Sequence, residues 1–349
     1  MRNKRILVFN YDMDDESQVF AHQIEVVRHL ANEFRDVVVL TSHKGLKSEV
    51  PPNVKIISTN WQENRNFKNV TLFYKLFMKI LFDEKIDLVF SHMTEIQSAL
   101  AAPLLKILKI PHVTWYAHAK RSKFLVWNHF FVNRIVTSTV GSCPIQSEKV
   151  NRIGQAIDQD TFFAKVKNDF SKKIFIHVGR IDKSKNLETI INLLIKERST
   201  FSDIELNIIG KPSAGNKSDY LDKLSELASL HSFIHISPPI ARKNLPELLN
   251  ENDAFIHAFQ GSLDKTLIEA TLAGLPVITI NNEYVNEFGT WGQRNVSIDL
   301  GSEFSAFMLS SDDRIEKVCQ KRQQIAITKH SYAQWQTQLL RIFDDLMSS

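Results

Sequence analysis

The sequence predicts an α/β protein with two doubly wound domains, and three observations support that prediction. At 349 residues the chain is long for a single hydrophobic core. Short apolar runs alternate with stretches of helical periodicity, a pattern typical of parallel sheets covered by helices. The pattern restarts at Lys173, after a polar and charged segment at 165–171 that we interpret as the linker. Two such domains are expected to face a central cleft, since open parallel sheets bind ligands at the carboxyl ends of their strands.

The composition is that of a globular protein from a reducing compartment. Hydrophobic residues make up 43% and charged residues 23% of the chain, which disfavours disorder. Two cysteines are too few for a disulfide scaffold. The first residues lack the apolar run of a signal peptide, and no stretch approaches the length of a membrane span. We therefore predict a cytoplasmic protein and leave open a peripheral position on the inner face of the cytoplasmic membrane.

The first half opens as a strand–helix–strand unit. Arg5–Asn10 is an apolar strand, helical spacing follows over 20–34, and Val37–Leu40 is the next strand. The loop Tyr11–Ser17 lacks the G-x-G-x-x-G fingerprint that a dinucleotide-binding domain carries there, which disfavours a dehydrogenase. Further strands are predicted at Lys55–Ser58, Asp87–Ser91, His112–Tyr116 and Arg134–Ser138.

The two halves differ in charge. Residues 1–168 contain 23 Lys and Arg against 16 Asp and Glu, whereas the remainder contains 20 against 23. A basic half can serve nucleic acid, anionic lipid or a phosphorylated substrate, and charge alone does not choose between them. No nucleic-acid-binding motif accompanies the charge, so we do not predict a nucleic-acid partner.

An amphipathic helix is predicted over 67–82 in this basic half. Its apolar face consists of Phe67, Val70, Phe73, Tyr74, Phe77, Ile80 and Leu81, with Lys68, Lys75 and Lys79 elsewhere on the helix. We favour an ordinary surface helix packed on the sheet, and a basic helix that docks on a membrane is the alternative.

A histidine of the first half follows a predicted strand. His118 comes after the strand that ends at Tyr116 and precedes Lys120, Arg121 and Lys123. Loop histidines are usually solvated, but one at the carboxyl end of a parallel strand, beside a basic cluster, is a candidate site residue.

The second half repeats the alternation of strands and helices. The predicted strands are Lys173–Val178, Ile204–Ile209, Phe233–Ile236, Ala254–Phe259 and Val277–Ile280, and the predicted helices are Leu187–Ile195, Asp219–Ser229 and Asn244–Asn250. A further helix, between the last two strands, carries Glu269 and ends at Gly274. The unpaired N–H groups from Leu263 to Thr266, at the positive end of the helix dipole, suit an anion such as phosphate.

Two cations follow the first strand of this half. Arg180 and Lys185 are expected at the same crevice as the helix start near Thr266, because both segments follow strands of one parallel sheet. Fixed cations and a helix N-terminus stabilise the negative charge that grows on a departing diphosphate, without a metal ion. The alternatives are a solvated loop for Arg180 and Lys185, and an exposed helical acid for Glu269.

In combination, these motifs resemble a known family. G-R-x(4)-K from Gly179, G-K-P from Gly210 and the segment S-L-D-K-T-L-I-E-A-x-x-A-G-x-P-V-I from Ser262 are similar to the donor domain of retaining glycosyltransferases of the GT-B fold, family 4, the glycosyl transferases group 1. The segment VNRIGQAIDQDTF resembles the junction between the two domains of that family, with Gln155 in place of the usual Asn. The resemblance covers nearly the whole chain.

The resemblance implies a domain layout and a site. It places an acceptor-binding Rossmann-like domain at 1–168, a donor-binding one at 169–330, and a terminal helix at 331–349 that crosses back to the first domain. It assigns catalytic roles to His118, Arg180 and Lys185, with no metal ion. The implied donor-binding residues are Gly179, Arg180, Lys185, Gly210, Lys211, Leu263, Asp264, Lys265, Thr266 and Glu269. The family has a second carboxylate eight positions before Glu269, where this chain has Gly261, so we weigh Asp264 or Glu283 as its substitute.

The implied activity is retaining transfer of a sugar from a UDP- or GDP-linked donor. The expected acceptor is a glycan or lipid-linked glycan of surface polysaccharide or lipopolysaccharide biosynthesis. Cations suit the diphosphate and a carboxylate suits the ribose diol, which agrees with these roles. A non-catalytic sugar-nucleotide or glycan-binding protein is the alternative, since Gly261 supplies no carboxylate.

Overall fold

The computed structural model describes residues 1–14, 22–45, 48–62, 67–170, 173–212, 219–292 and 299–348. The chain forms two compact units. Unit 1 consists of Met1–Ile153 and Thr337–Ser349, and unit 2 of Gly154–Gln336.

Unit 1 contains a parallel sheet with strand order β3-β2-β1-β4-β5-β6-β7. Its strands are β1 (Arg5–Met13), β2 (Asp36–Lys44), β3 (Val54–Ser58), β4 (Leu88–Ser91), β5 (His112–Trp115), β6 (Arg134–Thr137) and β7 (Val150–Arg152). Its connecting helices are α1 (His22–Glu33), α2 (Phe67–Asp83), α3 (Glu95–Ile107) and α4 (Lys123–Phe131). The pairing of Met13 with Lys44 extends β1 beyond its predicted end. Part of the predicted loop Tyr11–Ser17 is therefore strand, and its last residues, 15–17, lie outside the described residues.

Helix α2 packs on this sheet through one face only. Phe73 and Phe77 are fully buried and meet the Phe9 ring edge-on, at centroid distances of 5.6 and 5.7 Å. Phe67, which the sequence placed on the same face, is instead 84% exposed. Tyr74 is partly exposed, and its hydroxyl donates to the Leu100 carbonyl of α3 at 2.9 Å. The helix therefore keeps apolar side chains on its outer face.

Unit 2 contains a second parallel sheet with strand order β10-β9-β8-β11-β12. Its strands are β8 (Lys173–Val178), β9 (Ile204–Ile209), β10 (Ile234–Ser237), β11 (Ala254–His257) and β12 (Val277–Thr279). Its helices are α5 (Gln159–Phe162), α6 (Leu187–Glu197), α7 (Asp219–Ser229), α8 (Leu245–Glu251), α9 (Lys265–Leu272), α10 (Asn282–Phe288), α11 (Leu300–Met308) and α12 (Asp312–His330). Among the described residues, no helix combines the length and apolar character needed to cross a bilayer.

The limits of the two units differ from those drawn from the sequence. Residues 154–168, which the sequence placed in the first domain, belong to unit 2. Ile157 and Phe162 are buried in the core of unit 2 with Leu267 of α9, and the Ile157 N–H donates to the His330 carbonyl at 2.9 Å. This packing joins the segment to the second sheet, although its sequence resembles the end of a first domain.

The chain ends in helix α13 (Tyr332–Ser348). Residues 337–348 of this helix belong to unit 1. There the Phe343 side chain is fully buried, with its ring edge-on to Phe34 and Phe90 at centroid distances of 6.3 and 5.4 Å.

Candidate functional site

The candidate site of unit 2 lies where the strand order reverses. From β8 the chain proceeds outward to β9, and from its neighbour β11 it proceeds in the other direction to β12. Loops that leave such a pair of strands at their carboxyl ends diverge and form a crevice. His177 and His257 stand near these strand ends, with their rings stacked at a centroid distance of 5.8 Å. The site is built from the two loops that follow.

The loop after β8 depends on a close approach between two glycines. The Gly179 N–H donates to the Ile209 carbonyl at 3.0 Å, and the Ile181 N–H donates to the Lys211 carbonyl at 2.8 Å. A Cβ atom at Gly210 would collide with the Gly179 carbonyl oxygen. Gly210 therefore allows the loops after β8 and β9 to run side by side, and the donor-binding role of Gly179, Gly210 and Lys211 stays a prediction.

A short turn separates the two predicted cations. Asp182 begins a 3-10 helix by accepting the Ser184 N–H at 2.9 Å. The turn leaves Arg180 outside, with its side chain 67% exposed and its Nε 3.9 Å from Asp182. The same turn directs Lys185 inward, where its side chain is 5% exposed. The two cations thus have different environments.

Lys185 joins the loop after β8 to the start of α9. Its Nζ donates to Asp264 Oδ2 and lies 4.0 Å from the centroid of the Phe259 ring. The same Oδ2 accepts from His257 Nε2 at 3.0 Å, and His257 Nδ1 lies 3.1 Å from Thr279 Oγ1. A chain of polar contacts therefore crosses from β12 through β11 to the loop after β8.

The protonation states of this network follow from burial and charge. Burial alone would raise the pKa of Asp264, but the hydrogen bond from His257 and the charge of Lys185 bring it well below its usual range. Burial lowers the pKa of His257, and it lowers the pKa of His177 to about 3. At neutral pH the network thus contains a carboxylate, an ammonium group and neutral imidazoles.

Helix α9 begins without a side-chain cap. Asp264 is its N-cap residue, but its carboxylate turns to Lys185 and accepts no hydrogen bond from the first turn. Gln155 Nε2 donates to the Leu263 carbonyl and so holds the loop before the helix. The N–H groups of Lys265 and Thr266 begin the helix, and such groups are suited to the oxygens of an anion.

The structure accounts for the glycine at position 261. A Cβ atom there would collide with the Phe259 ring, which occupies the adjacent space and covers Lys185. Asn281 Nδ2 fixes the loop by donating to the carbonyls of Phe259 and Gly261, at 3.0 and 3.1 Å. A phenyl ring therefore takes the room that a longer residue at 261 would need.

Glu269 is buried and ion-paired. Its side chain is 1% exposed, and its Oε1 accepts from Nη2 of Arg242 at 2.6 Å. Arg242 lies in the 3-10 helix Arg242–Asn244 after β10, and its guanidinium lies 5.2 Å from the centroid of the Phe162 ring. Burial and the nearby Arg242 lower the pKa of Lys265 to about 8, against the opposing effect of Glu269. Glu269 is thus not an exposed helical acid.

His118 belongs to unit 1, whereas the other predicted site residues belong to unit 2. It is exposed after β5, and its ring meets Tyr116 edge-on at 5.6 Å. Tyr116 in turn donates its hydroxyl hydrogen to the Lys120 carbonyl. The catalytic role of His118 stays a prediction.

Several polar residues of the site escaped the sequence analysis, among them His177, His257 and Arg242. His177 and His257 each complete a Phe-Ile-His tripeptide, at 175–177 and 255–257, and this repeat at two strand ends was the available signal. Arg242 had no such signal, because its partner lies 27 positions away. In the part of the chain that the structure describes, no group of three or more His, Cys, Asp or Glu side chains is placed to hold a metal ion.

Comparison with known proteins gives a family match for part of the chain and a fold match for nearly all of it. Residues 158–299 match the model of the family glycosyl transferases group 1. No curated protein matches the sequence.

Solved structures resemble the chain over its full length. HepE from Anabaena in complex with UDP has a TM-score of 0.75 at 13% identity, with 98% of this chain and 100% of HepE covered. Sucrose-phosphate synthase from Thermosynechococcus elongatus has a TM-score of 0.76 at 13% identity, covering 99% and 100%. A glycosyltransferase from Rickettsia africae has a TM-score of 0.74 at 15% identity, covering 99% of both chains. These likenesses confirm the predicted fold class, two Rossmann-like α/β domains as in GT-B glycosyltransferases.

Proposed function

We propose that the protein is a retaining glycosyltransferase that moves a sugar from a nucleoside diphosphate to a glycan or lipid-linked glycan. The contact between Lys185 and Asp264 carries this proposal, because it joins the loop after β8 to the N-terminus of α9 at the switch point of the sheet. The match of residues 158–299 to a glycosyltransferase family model supports the same activity.

The proposed donor site divides the nucleotide between two sets of groups. Arg180, Lys185 and the first N–H groups of α9 bind the diphosphate, whose negative charge grows as its bond to the sugar breaks. Lys185 exchanges part of its contact with Asp264 for a phosphate oxygen. Glu269 accepts hydrogen bonds from the ribose hydroxyls, since a carboxylate is an acceptor only.

The proposed mechanism uses position and charge. The acceptor hydroxyl attacks from the face that the diphosphate leaves, and a leaving phosphate oxygen takes its proton. The family resemblance also implies a catalytic role for His118 of unit 1. The cations replace a metal ion in this scheme, and Asp264 takes the part of the carboxylate that Gly261 lacks.

Two similar structures guide the choice of donor and acceptor. HepE has been solved in complex with UDP-glucose. WaaG, at 14% identity and a TM-score of 0.62, is a glycosyltransferase involved in lipopolysaccharide biosynthesis. We propose a UDP-sugar as the first donor to test, with GDP-sugars next, and a surface polysaccharide or lipopolysaccharide precursor as the acceptor.

Transfer is tested by incubating the protein with nucleotide sugars and measuring released nucleoside diphosphate. R180A and K185A should each lose about a hundredfold in rate, since each removes a cation from the developing charge. R180A should keep wild-type stability, whereas K185A also breaks the buried pair with Asp264 and is assayed below its lowered melting temperature. Lys183→Ala, an exposed cation of the same turn, is the matched control and should keep wild-type turnover. Wild-type turnover in both R180A and K185A would refute the phosphate assignment. Nucleotide binding without any turnover would favour the non-catalytic alternative that Gly261 and the Phe259 ring support.

We further propose that the outer face of α2 rests on an anionic membrane surface on the cytoplasmic side. This face carries large apolar side chains and cations, namely Phe67, Leu72, Tyr74, Met78 and Phe82 with Lys68, Lys75 and Lys79. Each Lys near an anionic bilayer contributes about 1 kcal/mol of attraction, and apolar side chains add area that leaves water.

Membrane docking is tested by sedimentation with vesicles that contain phosphatidylglycerol. Reversal of the three lysines of α2 to Glu should weaken sedimentation and leave nucleotide affinity unchanged. A triple reversal of the exposed Lys196, Lys223 and Lys317 of unit 2 makes the same change in net charge and should sediment like wild type. Equal sedimentation of both triple variants would refute docking through α2.

A further inference from the structure

Arg242 contacts Glu269, the buried carboxylate to which the proposed function assigns ribose binding. Its Nη2 donates to Glu269 Oε1 at 2.6 Å, whereas its own side chain is 60% exposed. A carboxylate that is 1% exposed is costly unless a cation or hydrogen-bond donors accompany it. Arg242 therefore supplies the charged partner that this buried carboxylate requires.

The contact occupies only half of the carboxylate. Arg242 donates to Oε1, and no side chain within the described part of the chain donates to Oε2. The guanidinium is held in place by the Phe162 ring at 5.2 Å, a distance at which a cation is attracted by the face of an aromatic ring. Arg242 thus fixes one oxygen of Glu269 and leaves the other for a further donor.

One other cation among the described residues faces Glu269. Lys265 lies one turn earlier on α9, and burial and the charge of Arg242 lower its pKa to about 8, against the opposing effect of Glu269. The side chains that α5 and α12 pack against α9 include Phe162, Gln323 and Ala326, and none of them titrates. Arg242 and Lys265 are therefore the charged groups that face Glu269 from the described elements around it.

We infer that Arg242 is a positioning residue of the donor site, which orients Glu269 so that one carboxylate oxygen accepts the ribose hydroxyls. This inference rests on the proposed function. Arg242 lies outside the family motifs, and in this inference it determines how strongly the site binds ribose.

Ribose recognition is measured by calorimetric titration of the full chain with UDP, GDP and ADP. The nucleotide that binds most tightly is then compared with its 2′,3′-dideoxy analogue. A hydrogen bond to a charged group corresponds to about a 10- to 100-fold change in Kd, so wild-type protein should bind the analogue weaker by that factor. Arg242→Gln should reduce the ratio below about threefold at pH 7, and Arg242→Lys should retain most of it.

Two controls separate positioning from a merely structural role. Lys243→Gln removes the neighbouring exposed cation and should keep the wild-type ratio. Glu269→Gln should lose the ratio at pH 7, as Arg242→Gln does.

The outcomes are distinct. An unchanged ratio in Arg242→Gln, together with a lower melting temperature, would show a purely structural arginine and overturn the inference. Equal loss of the ratio in Lys243→Gln would do the same, since it would reflect net charge alone. Wild-type protein that binds none of the nucleotides would refute the proposed function, and the inference with it.

Discussion

Asp264→Asn should destabilise unit 2 although it keeps the shape of the side chain. The substitution removes the charge that accompanies Lys185, whose side chain is 5% exposed. Removal of one partner from a buried ion pair costs about 3–5 kcal/mol, and we expect about 3 kcal/mol because Asp264 is itself 25% exposed. For a unit of this length, that loss lowers the melting temperature by about 6–12 °C.

The effect should depend on pH with a defined sign. The folded-state pKa of Asp264 lies below its ordinary value, so the ion pair contributes fully above the unfolded pKa of about 4. Its contribution disappears as pH falls through the lower folded value. The difference between wild type and Asp264→Asn should therefore be constant from about pH 7 to 5 and shrink below about pH 4.

The assay is urea unfolding followed by tryptophan fluorescence, to which Trp291, buried in unit 2, contributes together with the four other tryptophans of the chain. Asp313→Asn is the matched control, because Asp313 pairs with Lys317 on the surface, where both side chains are more than two-thirds exposed. This control should cause no measurable change. Equal stability of the two variants, or a difference that grows toward low pH, would refute the assignment of Asp264 as the charge that Lys185 requires.

Three further predictions concern the terminal helix, the loop packing and metal independence. Phe343→Ala should lower the free energy of unfolding of unit 1 by about 3–5 kcal/mol, measured in urea, because the ring is fully buried. Phe82→Ala, where the ring is 93% exposed, should change it by less than about 0.5 kcal/mol. Equal effects of the two substitutions would contradict the packing of the terminal helix. Gly210→Ala should lower the free energy of unfolding by about 1–3 kcal/mol, because the added Cβ would push on the Gly179 carbonyl. Gly292→Ala should lower it less, since a Cβ there would lie 3.6 Å from its nearest neighbour. The reverse order would be inconsistent with this geometry. Transfer activity should survive excess EDTA because cations bind the proposed diphosphate, and complete loss restored by Mn²⁺ or Mg²⁺ would count against that site.

The sequence by itself determined the elements and the end of the sheet at which the candidate site lies. Strand β8 spans the predicted residues Lys173–Val178, and β9 spans Ile204–Ile209 as predicted. Periodicity reports which residues of an element face the core, and that information is local. Because parallel strands end at one edge of a sheet, Lys185 and the helix start near Thr266 were predicted to lie at the same crevice without knowledge of the strand order.

Tertiary structure decided which side chains pair and which space is filled. Lys185 and Asp264 are 79 positions apart, and Arg242 and Glu269 are 27 apart, so no local pattern records either contact. The Phe259 ring beside Gly261 is likewise a result of packing. Such pairs form only when two elements approach to within a few ångströms, whereas periodicity shows only which face of each element is buried. Burial then selects the partners, because each buried charge or polar group requires one.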